Sequence, residues 1–149
     1  MEIEKAIHQK QFANERERVI VNILYTSSWL TYIQMGVFKK FDISMQQYNV
    51  LRILKGKYPK PVSVNMIIER MIDKSSNVSR IVEKLRAKSM VMRSECPKDR
   101  RQVDVVLTPT GIDLLTECTK ELYIVQTNTD KLNDTENKEL NRLLNKLRS

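Results

Sequence analysis

The sequence predicts a mainly α-helical protein with one small β-hairpin. Aromatic residues make up only 6% of the chain and there are three glycines, which argues against an all-β sandwich and against a glycine-rich phosphate-binding fold. The helix formers Leu, Lys, Arg, Glu, Gln and Met dominate the composition. The spacing of apolar residues changes from the helical period of about 3.6 to a period of about 2 after Met90.

The first predicted helix spans about residues 4–40. From Val19 onward its apolar residues recur at spacings of three, four, and six or seven, at Ile20, Ile23, Leu24, Leu30, Ile33 and Val37. A helix this long cannot be wholly covered by a globule of 149 residues. We therefore expect part of it to contact another subunit.

A second helix is predicted to begin at a capping box. Ser44 occupies the N-cap position and Gln47 follows three residues later, so that each side chain can satisfy a backbone N–H group of the other. This helix is expected to end near Gly56. The prolines of residues 57–61 then indicate a connector.

Two short helices follow the connector. Ser63 is predicted to cap the first, and Asp73 or Ser75 the second. The second helix carries one apolar stripe at the spacing i, i+3, i+4 and i+7, formed by Val78, Ile81, Val82 and Leu85. Its opposite face offers hydrogen-bonding groups and positive charge, and its first turn holds small polar side chains beside N–H groups that favour phosphate. Such a helix suits the major groove of DNA, and the pair is predicted to form a helix-turn-helix.

A β-hairpin is predicted after these helices. In the first strand, Val91, Arg93 and Glu95 alternate with Met92 and Ser94. In the second, Val103, Val105 and Leu107 alternate with Gln102, Asp104 and Val106. The segment between them, residues 96–101, is rich in cations and too short for anything but a hairpin tip. A helix-turn-helix followed by a basic hairpin is the composition of a winged helix-turn-helix DNA-binding lobe, which we place at about residues 44–109.

The rest of the chain is predicted to be helical. Thr108 and Pro109 combine an N-cap with a proline at the first helical position, and this helix is expected to continue to about Thr129. Asp134 is predicted to cap the last helix, whose apolar stripe consists of Leu140, Leu143, Leu144 and Leu147. We expect residues 1–40 and 110–149 to be N- and C-terminal dimerisation helices of one domain that spans residues 1–149.

Positive charge is concentrated in the helix and hairpin. The net charge of the chain is +8, and residues 73–101 hold nine Lys/Arg and four Asp/Glu, a net of +5 in 29 residues. Residues 108–149 hold six Lys/Arg and seven Asp/Glu, a net of −1. A charge run by itself usually marks a solvated surface. Because this one coincides with the predicted helix and hairpin, it favours a polyanion as the partner.

The chain shows no signal for a membrane. No run of 18 apolar residues occurs, so we expect no transmembrane span. The N-terminal segment is charged and lacks the hydrophobic stretch of a signal peptide. The expected location is the cytoplasm, with no membrane partner.

Residues for catalysis or metal binding are scarce. His8 is the only histidine, and the two cysteines, Cys96 and Cys118, are too few and too far apart for a metal site. We therefore expect neither an enzyme nor a bound metal or cofactor. Cys118 falls on an apolar helical stripe and is predicted to be a core residue. Cys96 is a candidate redox residue because neighbouring cations would lower its pKa, with a bystander role as the alternative.

Three motifs in this order resemble the MarR family of bacterial winged-helix regulators. The recognition-helix pattern S-x-x-S-R-x-[IVL]-x-x-L is matched by residues 76–85. The wing pattern D-R-R is matched by Asp99, Arg100 and Arg101, and T-x-x-G is matched from Thr108 to Gly111. Each motif alone is a weak signal. Together, their order and separations agree with the family pattern, and the flanking helices account for nearly the whole chain.

The resemblance implies a homodimer that places two winged-helix lobes in successive major grooves of a pseudo-palindromic operator. Family members are commonly repressors that release DNA when a small phenolic ligand or an oxidant reaches the region between the dimerisation and DNA-binding parts. A small aromatic ligand is therefore a candidate partner. Two residues depart from the pattern: Ser89 stands where family chains often have glycine, and no cysteine precedes Cys96, which argues against peroxide sensing through the first helix.

The candidate DNA contacts can be sorted by chemistry. Side chains suited to base edges in the major groove are Ser76, Asn77 and Arg80. Side chains suited to phosphate are Lys74, Ser75, Ser79, Lys84 and Lys98. At the wing, Arg100 or Arg101 is expected to enter the minor groove, and the resemblance implies that Asp99 holds one of these arginines in position.

The sequence thus predicts a sequence-specific transcriptional regulator, a repressor that acts as a homodimer and is released by a small-molecule ligand. The alternative is an architectural DNA-binding protein without sequence preference. The ratio of operator affinity to random-DNA affinity at fixed salt separates the two.

Overall fold

The chain folds into helices around one small antiparallel sheet, as the sequence predicts. The computed structural model describes residues 1–96, 99–129 and 131–149, without the side chains of residues 95–102. The elements are α1 (Ile3–Ala6), α2 (Glu15–Lys40), α3 (Met45–Lys55), β1 (Val62–Ser63), α4 (Val64–Arg70), α5 (Val78–Ala87), β2 (Val91–Cys96), β3 (Asp99–Leu107), α6 (Pro109–Thr129) and α7 (Asp134–Leu147). In the described part, no helix combines the length and the apolar content needed to cross a bilayer.

The expected single helix over residues 4–40 is wrong, because the chain forms two helices there. Asn14 caps the start of α2: the Glu17 N–H donates to Asn14 Oδ1 at 3.0 Å, and the Glu17 carboxylate accepts from the N–H of the preceding residue, Ala13, at 2.7 Å. Between the two helices, His8 adopts a left-handed backbone with φ 56°, which a continuous helix does not allow. The signal for this break was the spacing of Asn14 and Glu17, which is that of a capping box.

The capping box predicted for α3 is confirmed. The Gln47 N–H donates to Ser44 Oγ at 3.1 Å, and the Ser44 N–H donates to Gln47 Oε1 at 2.8 Å. The helix ends at Lys55, with Gly56 as its C-cap. One face of α3 packs into the core, where Leu51 and Leu54 are almost fully buried.

The sheet has one strand more than the predicted hairpin. Its order is β1-β3-β2, and Val62 and Ser63 of β1 pair with Val105 and Asp104 of β3. A strand of two residues is too short to show a period of two, so the sequence pattern did not reveal it. Both long strands also continue into the segment predicted as the hairpin tip, with a bulge between Glu95 and Cys96.

One hydrophobic core joins the elements of the winged-helix lobe. Its fully buried side chains come from α3, α4, α5 and the sheet, and include Leu51, Ile67, Val82, Leu85 and Val105. Burying one such aliphatic side chain stabilises a fold by about 1.5–3 kcal/mol. The ends of the long helices complete this core, through Val37 and Phe38 of α2 and through Leu115, Cys118 and Leu122 of α6. The apolar stripe predicted on α5 is confirmed as the side that faces the core, with Val78, Val82 and Leu85 buried and Ile81 partly buried.

The end of α5 is closed without the glycine that the family pattern favours. Ser89 adopts the left-handed conformation with φ 56°. The Met90 N–H donates to the Leu85 carbonyl at 3.0 Å and the Ser89 N–H to the Arg86 carbonyl at 2.9 Å, which is the Schellman arrangement. Ser89 therefore takes the glycine position at the cost of local strain.

Candidate nucleic-acid interface

The start of α5 is set by Asn77, so the predicted caps Asp73 and Ser75 are wrong. Asn77 Oδ1 accepts a hydrogen bond from the Arg80 N–H at 3.0 Å, and the helix begins at Val78. Ser75 and Ser76 consequently precede the helix, and Ser79 and Arg80 lie in its first turn. The capping bond uses one of the two lone pairs of the side-chain oxygen that Asn77 would need for a bidentate contact to adenine.

Asp73 organises the turn before α5 instead of capping the helix. Its Oδ1 accepts hydrogen bonds from the Ser75 N–H at 3.0 Å and from the Ser75 hydroxyl at 2.6 Å. These bonds hold the pKa of the Asp73 carboxyl below its ordinary value, because they stabilise the ionised form. The Ser76 hydroxyl in the same turn is shielded from solvent. Of the two serines, only Ser75 is therefore presented on the outside of this turn.

Three predicted contact residues lie together on the exposed side of α5. Ser79, Arg80 and Lys84 are solvent-exposed, whereas Val78, Val82 and Leu85 on the opposite side are buried. Among the residues that the structure describes, Arg80 and Lys84 form no ion pair. Two cations of this helix are therefore free to bind an external anion.

A groove of about 370 Å³ lies along this side of α5. One wall is the start of α3, which the sequence interpretation did not include in the site. The lining residues are Ser44, Gln46, Gln47, Asp73, Ser75, Ser76, Asn77, Arg80, Ile81 and Lys84. The sequence signal for this wall was the capping box, which predicts a helix N-terminus at Ser44. Only the packing of α3 against α5 brings that N-terminus into the groove.

The cations at the far end of α5 are paired within the protein. Arg86 lies 2.6 Å from the Glu83 carboxylate, and Arg93 of β2 lies 3.7 Å from it. Hydrogen bonds from Arg86 hold the pKa of Glu83 below its ordinary value. Lys88 Nζ lies 2.7 Å from the Asp42 carboxylate at the end of α2. The free positive charge of α5 thus lies on Arg80 in its first turn and on Lys84 in its last turn, both of which line the groove.

Lys74 remains exposed while its ammonium donates to the Glu69 carbonyl at 2.5 Å. At the wing, Lys98 lies outside the described residues, and so do the side chains of Cys96, Asp99, Arg100 and Arg101. The backbone there forms the β2–β3 ladder, in which Cys96 is opposite Asp99. The predicted roles of these wing side chains remain predictions.

Cys118 is a core residue, as expected. It is fully buried, and burial raises the pKa of its thiol to about 11, with a further contribution from Glu121. A thiol with a raised pKa is a poor nucleophile at neutral pH. Within the described ranges, no group of three or more His, Cys, Asp or Glu side chains could hold a metal ion.

Comparison of the sequence with known proteins finds transcriptional regulators. Residues 43–103, which include α3 to the middle of β3, match the model of the MarR family. The regulator MgrA of Staphylococcus aureus is 28% identical over 116 residues, covering 78% of this chain and 77% of MgrA. PecS of Dickeya dadantii is 22% identical over 120 residues, covering 75% of this chain and 72% of PecS.

Comparison of the fold finds the same class of protein. A MarR-like transcription regulator from Bacillus cereus superposes with a TM-score of 0.79 at 23% identity, covering 90% of this chain and 96% of that one. BpsR of Bordetella bronchiseptica superposes with a TM-score of 0.75 at 24% identity, covering 93% of this chain and 99% of BpsR. A point mutant of MepR from S. aureus, bound to an oligodeoxyribonucleotide, superposes with a TM-score of 0.58 at 22% identity, covering 84% of this chain and 91% of MepR. This chain is thus similar in sequence to HTH-type transcriptional regulators, matches the model of the MarR family over residues 43–103, and shares the fold of MarR-like regulators.

Proposed function

We propose that this regulator is a homodimeric repressor that reads a pseudo-palindromic operator with α5 and the wing of each subunit. The observation that carries the proposal is the outer side of α5, where Arg80 and Lys84 are exposed and unpaired among the described residues while the opposite side is buried. Cations on one side of a short helix suit the phosphates and base edges of a major groove. The relative MepR, with its bound oligodeoxyribonucleotide, supports duplex DNA as the partner.

We assign the contacts by what each side chain still has available. Arg80 can reach guanine with its guanidinium fork, whereas the Asn77 side chain is held in one orientation while its oxygen caps α5, with its amide N–H₂ group left as donor. Lys74, Ser75, Ser79 and Lys84 are assigned to phosphates. Ser76 keeps its predicted base contact only if its shielded hydroxyl turns outward. At the wing, Lys98 is assigned to phosphate and Arg100 or Arg101 to the minor groove, with Asp99 holding the arginine.

The dimer is proposed from apolar surface that a single chain leaves uncovered. On α2, Leu24 is 65% exposed and Tyr32 is 77% exposed; on α7, no residue is buried, and Leu143 and Leu147 of its apolar stripe are 47% and 59% exposed. Apolar faces of this extent on amphipathic helices mark protein interfaces. A two-fold pairing of these helices would present two copies of α5 to one face of the DNA.

Release by a small aromatic ligand is proposed at the junction of α2, α3 and α6. There the rings of Phe38 and Tyr48 lie 5.2 Å apart between centroids, and the Tyr48 hydroxyl lies 3.1 Å from Thr119 Oγ1. An aromatic ligand that displaced the Tyr48 ring would therefore separate α3 from α2 and α6. The DNA binding of BpsR is regulated by 6-hydroxynicotinic acid, which supports a ligand of this chemistry.

The repressor proposal is tested first by selecting fragments of the host genome that the protein binds. A repressor should retain a defined palindromic sequence with an affinity at least about a thousandfold above that for random DNA at the same salt. Transcription from a promoter that carries the selected site should fall when the protein is added. Equal affinity for the selected and random duplexes would instead indicate an architectural DNA-binding protein.

Replacing Arg80 tests the base-reading assignment within that site. The Arg80→Ala variant should lose roughly 1–3 kcal/mol of binding free energy and accept other bases at one operator position. The matched Lys84→Ala variant should weaken binding on every sequence and reduce the salt dependence. If Arg80→Ala lost the same affinity on every duplex, Arg80 would be a phosphate contact.

A further inference from the structure

A second basic surface lies outside α5 and the wing. Residues 44–72 hold five Lys/Arg and one Asp/Glu, a net of +4 in 29 residues, close to the +5 of residues 73–101. We define the basic loop patch as the five cations of this segment: Arg52, Lys55, Lys57, Lys60 and Arg70. The contacts assigned above use none of them.

All five cations of the basic loop patch are exposed. Within the described parts of the chain, none of them forms an ion pair, whereas Arg86, Lys88 and Arg93 each lie beside a carboxylate. Like charges on one surface repel each other and destabilise the compact state. An external anion would remove that repulsion.

The backbone that carries the patch is held in place by hydrogen bonds. The Lys57 and Tyr58 N–H groups donate to the Leu54 carbonyl at 3.1 and 3.0 Å, and the Lys60 N–H donates to the Lys57 carbonyl at 2.9 Å. Lys55 Nζ lies over the Tyr58 ring, 5.4 Å from its centroid. Lys57 and Lys60 are therefore presented from a preformed turn, and the other three cations from the ends of α3 and α4, which lowers the entropy cost of binding.

The patch adjoins the turn that leads into α5. A Cβ atom on Gly56 would lie 3.8 Å from the Arg70 guanidinium, so the ends of α3 and α4 meet there. The Ile72 N–H donates to Asn49 Oδ1 at 3.0 Å, and Lys74 binds the Glu69 carbonyl. These contacts join the patch to the start of α5 through the turn between α4 and α5.

We propose that the basic loop patch contacts backbone phosphates of the DNA that flanks each operator half-site. This inference rests on the proposed function and extends its footprint. A run of unpaired cations with a single acidic residue in the segment matches the repeated charge of a DNA backbone. Protein surfaces that bind proteins usually present apolar or aromatic anchors at their centre, whereas the exposed aromatic ring among these cations, Tyr58, has the Lys55 ammonium over it.

The test compares the wild type with a Lys55→Ala/Lys57→Ala/Lys60→Ala variant on two duplexes that carry the same selected operator. One duplex ends at the outer edges of the half-sites, and the other extends for one helical turn on each side. The control is a Lys5→Ala/Lys10→Ala/Lys120→Ala variant, which loses the same charge from α1, the α1–α2 connector and α6. Affinity is measured over a series of salt concentrations, and phosphate contacts by hydroxyl-radical footprinting.

On the extended duplex, the loop variant should make the negative slope of log K against log salt shallower by about 0.9 for each phosphate that it no longer neutralises, and protection of the flanking backbone should disappear. On the short duplex it should bind like the control. Equal weakening on both duplexes, or unchanged slope and footprint on the extended one, would overturn the proposal; the latter outcome would leave a solvated surface or an acidic protein as the alternative. If the wild type showed no preference for the selected operator, the proposed function would fail instead.

Discussion

Thr108 explains why the T-x-x-G motif joins α5 to α6. Its hydroxyl donates to the Ser89 carbonyl at 2.7 Å and accepts from the Gly111 N–H at 3.0 Å, while its own N–H donates to the Met90 carbonyl at 3.1 Å. One side chain therefore caps α6 and holds the residues that close α5. Gly111 is required because a Cβ atom there would lie 2.1 Å from the Met90 oxygen.

Replacing Gly111 with alanine should destabilise the fold by about 2–3 kcal/mol, because the backbone of Met90 would have to move. Gly36 provides the control, since a Cβ atom there meets nothing within 4 Å. Gly36→Ala should raise the free energy of unfolding by about 0.5–1 kcal/mol, as expected for a helix interior. Urea unfolding of both variants measures the difference. Similar unfolding free energies for the two would show that the close approach at Gly111 is relieved at no cost.

Cys118 should be nearly inert in the folded protein. With its pKa at about 11 instead of the ordinary 9.0, roughly one thiol in a thousand is ionised at pH 8. In a Cys96→Ser background, the native protein should react with a disulfide reagent at least about a hundredfold more slowly than the urea-unfolded protein. Because the folded-state pKa is the higher one, the contribution of this thiol to stability is full below pH 9 and is lost as the pH rises through 11. A fast reaction of the native protein would mean that α6 opens readily around this residue.

At the scale of the element, α5 is held at its two ends by different means. Asn77 caps its start, and at its end Lys88 contacts both the carbonyl and the carboxylate of Asp42, just beyond α2. The Lys88–Asp42 contact joins α5, the proposed DNA-reading helix, directly to the end of the helix proposed to form the dimer. Displacement of α2 would therefore be transmitted to α5 through this pair.

Replacing Asp42 with asparagine should lower operator affinity about two- to fivefold, which corresponds to the ~0.4–1 kcal/mol of an exposed ion pair. Asparagine tolerates the left-handed backbone of this residue, φ 51°. The direction of the change in operator affinity is informative, because the loss of a negative charge would by electrostatics alone strengthen DNA binding. Glu121→Gln is the control, since Glu121 likewise pairs with a lysine, Lys40, at 3.0 Å. Tighter binding by both variants in a titration against operator DNA would rule out a positioning role for Asp42.

At the scale of the whole molecule, the chain buries its core in the winged-helix lobe and leaves apolar surface on its long helices. The buried residues of α2 are confined to Val37 and Phe38 at its end, and α7 buries none. The lobe can therefore be well packed in one chain, whereas α7 needs a partner to remove its leucines from water.

Replacing Leu143 with arginine should convert the protein to a monomer in sedimentation experiments, because a charge would be buried in the proposed interface. Operator affinity should fall by at least about a hundredfold as the two half-sites lose their linkage. Asn145→Arg adds the same charge on the opposite side of α7 and should leave the dimer intact. If Leu143→Arg remained dimeric with full affinity, the interface would lie elsewhere.

The sequence by itself determined the features that arise between near neighbours along the chain. The buried stripe of α5, the capping box of Ser44 and the alternation of the two long strands are local patterns, so composition and spacing were enough to predict them, and the family resemblance followed. The cap of α2 at Asn14 and the cap of α5 at Asn77 were also local, but competing capping residues nearby made the assignment ambiguous. The predicted cap of the last helix, Asp134, is wrong for the same reason, because the neighbouring Asn133 caps α7.

Only the tertiary structure decided what distant segments do together. Four features join residues that are far apart in the chain. They are the pairing of the two-residue β1 with β3, the contact of Lys88 with Asp42, the wall that α3 forms beside α5, and the close approach of Gly111 to Met90. Such contacts depend on how the helices and strands pack and leave no periodic trace in the sequence. The same physical reason separates the free cations Arg80 and Lys84 from the paired Arg86 and Lys88, because pairing depends on which carboxylate the fold brings within reach.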